Sequence, residues 1–169
     1  NTVPRVESGD GGPVFLAVRY VTFRGYHTQS TNVGETGEGA AILMTGQGSV
    51  LQLSSCLFQN LVSDLRGGAV FVNGRQSVYI EDCEFRRCNS RLGGAVFATG
   101  DSVNEVARVV IKDSRFVDNV AHRDGVPDEG LWHGISTDAL GSGGALKLQY
   151  ADALVAESLF DGNEAAPDQ

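Results

Sequence analysis

Trp132, His133, Asp124, Asp128 and Glu129 crowd one short stretch of the chain with groups that can touch a ligand or move a proton. An indole stacks on the face of a sugar, and two carboxylates act as acid and base on a glycosidic bond when about 5 to 9.5 Å separates them. Carbohydrate is thus one ligand class for the stretch, which also holds His122 and Asp138. Calcium is a second, because the carboxylates are oxygen ligands, although their spacing matches no calcium-loop motif. His122 and His133 as a metal pair lack a third ligand placed by spacing. The structural alternative has Trp132 packing back onto the body of the protein, with the charges around it solvated.

A second set of carboxylates emerges when the chain is aligned on its phenylalanines. Three residues before Phe23, Phe58, Phe85, Phe116 and Phe160 stand Tyr20, Ser55, Asp82, Asp113 and Glu157, with Glu81 and Lys112 next to the acidic members. Stacked, three carboxylates resemble the acidic cluster of a polysaccharide-cleaving enzyme. They also suit a bend, where carboxylates accept hydrogen bonds from turn amides, and like charges on adjacent strands repel unless a cation bridges them.

The elements that carry both sets follow from an internal repeat. Gly39-Ala40-Ala41-Ile42, Gly67-Gly68-Ala69-Val70, Gly93-Gly94-Ala95-Val96 and Gly143-Gly144-Ala145-Leu146 open four units that close on Phe58, Phe85, Phe116 and Phe160, and a fainter copy runs from Gly11 to Phe23. Leading glycines lie 28, 26 and 50 residues apart, too far for a tight hairpin and enough for one circuit of a coil. Such a period predicts a solenoid whose units bury their apolar faces only by stacking. The whole chain, 1–169, reads as one β-helix segment, with repeats near 11–38, 39–66, 67–92, 93–142 and 143–169. The stretches 24–38 and 120–142 interrupt it as loop insertions, where solenoids acquire binding surfaces.

Positions seven and five before each phenylalanine (Leu51 and Leu53, Val78 and Ile80, Val109 and Ile111) are apolar and predicted to face inward. The next inward position falls two before the phenylalanine, held by Cys56, Cys83, Ser114 and Ser158 as a ladder of small residues. Five to two is an odd step, so the strand must change face and bend between them. In the glycine strand, Leu43, Phe71, Phe97 and Lys147 share one position, and the lysine predicts that this column points outward. Asn60, Asn89, Asn119 and Asn163 trail the phenylalanines at uneven offsets and predict an imperfect amide ladder. Of the three cysteines, Cys88 falls in a turn and reads as the freest thiol.

Charge narrows the function. A formal net charge of −8, from 21 acidic and 13 basic residues, argues against nucleic acid as a partner. The arginines at 66, 75, 86, 87 and 91 gather near the middle of the sequence, as solvated turn residues or as a patch for an acidic surface. No apolar run reaches the eighteen or so residues of a membrane span, and Asn1-Thr2-Val3 begins like the interior of something longer.

The Gly-Gly-Ala-Ile/Val/Leu openings, with Phe116-Val117-Asp118-Asn119 and Phe160-Asp161-Gly162-Asn163 closing two units, resemble the paired repeats of chlamydial polymorphic outer-membrane proteins and similar autotransporter passengers. The likeness covers roughly residues 39–163; Phe23-Arg24-Gly25-Tyr26 lacks the asparagine, and Phe58 and Phe85 have it shifted. It implies an all-β, right-handed parallel β-helix of the pectin-lyase-like class with about five rungs. A surface-exposed location and a structural or adhesive role follow from the same likeness. The expected function is a non-enzymatic rod of a secreted or cell-surface protein, displaying the loop with Trp132 and requiring no cofactor. Its partners would be further rungs or other chains, with carbohydrate as a further candidate. Two alternatives stand beside it: a polysaccharide lyase or hydrolase, and a filament or lattice building block.

Overall fold

The computed structural model describes residues 5–7, 12–28, 37–122 and 142–165, and the regular elements among them are all strands. Each circuit of the chain contributes four. The first rung holds β1 (Arg5–Glu7), β2 (Phe15–Arg19), β3 (Thr22–Arg24) and β4 (His27–Thr28). The second holds β5 (Ile42–Thr45), β6 (Val50–Ser54), β7 (Leu57–Gln59) and β8 (Val62–Ser63). The third holds β9 (Val70–Asn73), β10 (Ser77–Glu81), β11 (Glu84–Arg86) and β12 (Asn89–Ser90). The fourth holds β13 (Val96–Thr99), β14 (Ala107–Lys112), β15 (Arg115–Val117) and β16 (Val120–Ala121). The fifth holds β17 (Leu146–Gln149), β18 (Ala151–Ala156), β19 (Leu159–Asp161) and β20 (Glu164–Ala165). Every fourth strand pairs in parallel with the next, which gives four five-stranded sheets wound into one coil. This is a parallel β-helix.

Register places like residues on like. Phe23, Phe58, Phe85, Phe116 and Phe160 are successive Cα partners through the third sheet. Their rings stack at centroid separations of 4.9, 4.6, 4.8 and 4.8 Å, close to the spacing of the strands themselves. In the second sheet, Leu51, Val78 and Val109 form one inward file and Leu53, Ile80 and Ile111 another, all buried. These files and the alanines and valines of the first sheet make a single core running the length of the coil.

The face change between the second and third sheets is made by one residue per rung in left-handed backbone. Tyr20, Ser55, Asp82, Asp113 and Glu157 have φ of 57°, 52°, 52°, 48° and 51°. Two residues past each phenylalanine a second such column turns the third sheet into the fourth, through Gly25, Asn60, Arg87, Asp118 and Gly162. Single left-handed residues thus reverse the side-chain phase that an uninterrupted strand would keep.

The Gly-Gly-Ala signature has a separate cause at each position. Gly93, at φ 65°, makes the turn into the first sheet. Gly94 is required by a close approach, since a Cβ there would lie 1.9 Å from the carbonyl oxygen of Gly144 and 2.7 Å from that of Val120. Ala95 is fully buried, and the axis has room there for a methyl.

Three sequence readings are corrected. Leu43, Phe71 and Phe97 point away from the axial core as expected, but not into solvent: they are 6%, 1% and 3% exposed and form a small second core with Leu92, on which the Arg66 guanidinium lies 5.4 Å from the Phe71 ring centre. Lys147 is the exception in that file, its ammonium donating to Ser142 Oγ at 2.7 Å. Cys88 is fully buried, because it occupies the inward position three after the phenylalanine that Leu61, Asn119 and Asn163 hold in other rungs. For the same reason the four asparagines are not one file: Asn60 sits in a left-handed corner and Asn89 in β12.

Candidate functional site

Both insertions leave the coil at one corner, between the fourth sheet and the first. One separates β4 from β5 and the other β16 from β17, whereas β8 and β12 reach the first sheet through short turns. Buried hydroxyls brace the corner. Ser63 Oγ donates to the carbonyls of Gly37 and Arg66, and Ser90 Oγ to those of Leu92 and Gly93 at 2.9 Å each. Glu38, Arg66, Leu92 and Ser142 then form a run of parallel bridges, one per rung.

Charged and titratable groups line this edge. The residues six after Phe58, Phe85 and Phe116 are Asp64, Arg91 and His122, each directly following a strand of the fourth sheet. His27 Nε2 lies 2.7 Å from Asp64 Oδ1. Arg91 is nearly buried; desolvation lowers its pKa, and the charge of Asp64 opposes that shift. One step along the corner, Arg66 donates to Glu38 Oε1 at 2.8 Å, and Glu38 is only 7% exposed. An imidazole held by a carboxylate is the geometry of an oriented base. Groups of both signs thus meet along one edge.

Trp132, His133, Asp124, Asp128, Glu129, Asp138 and Glu35 lie outside the described residues. His27, Glu38 and His122 lie along the corner on different rungs, while Tyr26 packs partly buried against the main core. The carboxylate column sits elsewhere, on the bend between the second and third sheets, where Asp82 and Asp113 border a shallow groove with Tyr20 and Arg115. Ser55 Oγ donates to Asp82 Oδ2 at 2.8 Å, so part of this column is engaged in holding the bend. Among the described residues, no group of three or more His, Cys, Asp or Glu side chains could hold a metal ion, and no helix is long and apolar enough to cross a membrane.

The five arginines of the middle rungs do not form one patch. Arg66 and Arg91 belong to the insertion corner, Arg75 to the turn between the first and second sheets, and Arg86 and Arg87 to the third sheet and its exit. Winding a linear cluster around a coil disperses it to every side. The reverse happened to Asp64, Arg91 and His122, which are far apart in sequence and adjacent in space. Counting forward from each phenylalanine would have found them.

Family models, curated proteins and solved structures were all searched, and none matches this chain.

Proposed function

We propose that this chain is a non-enzymatic segment of a β-helical rod from a secreted or cell-surface protein, and that it binds through the corner from which both insertions leave. The observation that carries the reading is that coincidence: the two insertions interrupt the coil at one edge, three rungs apart, where His27, Asp64 and His122 are exposed at least in part and Arg91 is nearly buried. Three strand spacings amount to about 14 Å, a width that a protein loop or a short oligosaccharide spans. The interior supports a structural role, since the inward files are hydrocarbon, thiol, hydroxyl and amide groups engaged in packing or in hydrogen bonds along the axis. Kinship with the chlamydial polymorphic outer-membrane repeats, and the right-handed winding it implies, are part of the same proposal.

Replacing residues 123–141 with a link as short as the one after β8 tests it. The expected result is an unchanged melting temperature together with loss of binding to arrayed cell-surface glycans and proteins; binding that survives the replacement overturns the reading. Turnover of acidic polysaccharides that Asp113→Asn abolishes would replace it with the enzyme reading.

A second reading is favoured by the fifth rung. Val155, Leu159 and Phe160 are 42%, 47% and 42% exposed, and among the described residues no strand pairs with the free edge of that rung. Further rungs or another chain stacked there would bury them. Light scattering that rises with protein concentration supports stacking between chains, and a monomer at all concentrations removes it.

A further inference from the structure

In each of the four sheets one outermost strand comes from the first rung and the other from the fifth, and among the described residues neither edge has a neighbour. Such an edge offers unpaired amides and carbonyls to any strand of matching direction. The two edges differ in charge. Residues 12–28, which carry β2 to β4, hold Arg19 and Arg24 and no carboxylate. Residues 151–165, which carry β18 to β20, hold Asp152, Glu157, Asp161 and Glu164 and no lysine or arginine. In a chain of net charge −8, the basic end is a local reversal of sign.

Register decides which of these groups could meet. Arg24, Gln59, Arg86, Val117 and Asp161 share one position through the third sheet. His27, Val62, Asn89, Val120 and Glu164 share one through the fourth. A first rung laid on the fifth in that register therefore sets Arg24 over Asp161 and His27 over Glu164, about 4.8 Å apart between strands. Arg24 and Asp161 are both exposed, and neither has an ion-pair partner among the described residues. The apolar files continue across the same step: Phe160 meets Phe23, and Val155 meets Val18. Phe160 and Val155 are exposed, and Phe23 and Val18 are only partly buried, so each has a face to cover. One position opposes the fit, since Lys147 falls at the place of Arg5 in the first sheet; its ammonium already donates to Ser142 Oγ.

We propose, resting on the stacking reading of the fifth rung, that its partner is the first rung of a second copy of this chain, joined head to tail in the register the coil already uses. The phenylalanine stack then passes through the joint, Arg24 pairs with Asp161, and Glu164 brings a second carboxylate to His27, whose Nε2 already faces Asp64. A joint between unlike surfaces does not close on itself, so copies add into an open filament and not into a dimer.

Sedimentation velocity of the whole chain tests polarity and register together. The parent chain gives species that grow past the dimer as concentration rises. Asp161→Arg and Arg24→Asp, both at exposed positions, each set like charges across the joint and weaken assembly about tenfold, with the melting temperature of the dilute chain unchanged. Mixed in equal amounts the two variants assemble again, because each then meets the opposite charge at both of its ends. A parent chain that stays monomeric at all concentrations assigns both edges to other strands and removes stacking of copies altogether. Assembly that stops at the dimer, that neither substitution weakens, or that the mixture fails to restore leaves stacking of copies standing and overturns the head-to-tail joint.

Discussion

Phe85 and Phe160 occupy the same position in the coil, share the same strand register and stack on their lower neighbours at the same 4.8 Å or less, yet one is fully buried and the other 42% exposed. The difference is the rung that follows. In this fold a residue's own strand only aims it at the axis, and burial is supplied by the next circuit. Among the described residues a middle rung is therefore covered from two sides and the fifth from one, although their sequences obey the same pattern.

Truncating the ring at the two sites breaks the comparison most directly. Phe85→Ala is expected to cost about 3–5 kcal/mol by denaturant unfolding, and Phe160→Ala about 1–2 kcal/mol, because part of that ring is already in water. Equal losses would mean that the fifth rung is covered in solution.

Amides sharpen it next. Asn119 Oδ1 accepts from the Cys88 amide at 2.9 Å and its Nδ2 donates to the Phe85 carbonyl at 3.0 Å, both deep in the core. Asn119→Ala should cost about 1–3 kcal/mol for each group left without a partner, whereas Asn163→Ala should cost less, since water reaches that rung. Gly94→Ala should lose a further, comparable amount, about 1–3 kcal/mol, through the backbone collision that its methyl would make.

The smallest effect concerns the thiols, which belong to the middle rungs alone. Burial pushes Cys83 and Cys88 up to about 12 from an ordinary 9.0. Both states keep the thiols protonated below about pH 9, so their contribution to stability is complete there; above it the unfolded chain ionises first, and stability falls as pH rises toward 12. Unfolding midpoints measured between about pH 8 and about pH 10.5 should decline less steeply in a Cys83→Ser, Cys88→Ala variant than in the parent chain. Neither thiol should react with a disulfide reagent in the native state.

Much of this was legible in the residues. The phenylalanine file, the paired inward positions and the ladder of Cys56, Cys83, Ser114 and Ser158 all follow from one alignment, and Ser114 Oγ both donates to Lys112 O and accepts from the Cys83 amide. The odd step before each phenylalanine required a bend, though only coordinates show that a single left-handed residue makes it. Lys147 misled because one member was taken to speak for its column, when Phe71 and Phe97 sit beneath Arg66 and Leu92, residues that no local pattern brings there. Cys88 reads as a turn residue when taken alone; counted three past Phe85, it falls in the inward file of Leu61 and Asn119. The insertion corner stayed hidden for a geometric reason: an edge that runs along the axis samples the sequence once per circuit, so its members are never neighbours in the chain.

The ladder bonds, including the Ser114 to Ser158 and Asn119 to Asn163 links, run along the axis of the coil, with the strands lying across it. Tension applied lengthwise opens such a column in series, one circuit at a time from an end, so the load on any moment's breaking point is small. Tension applied sideways at the insertion corner instead drags a strand against both neighbours and loads many bonds together.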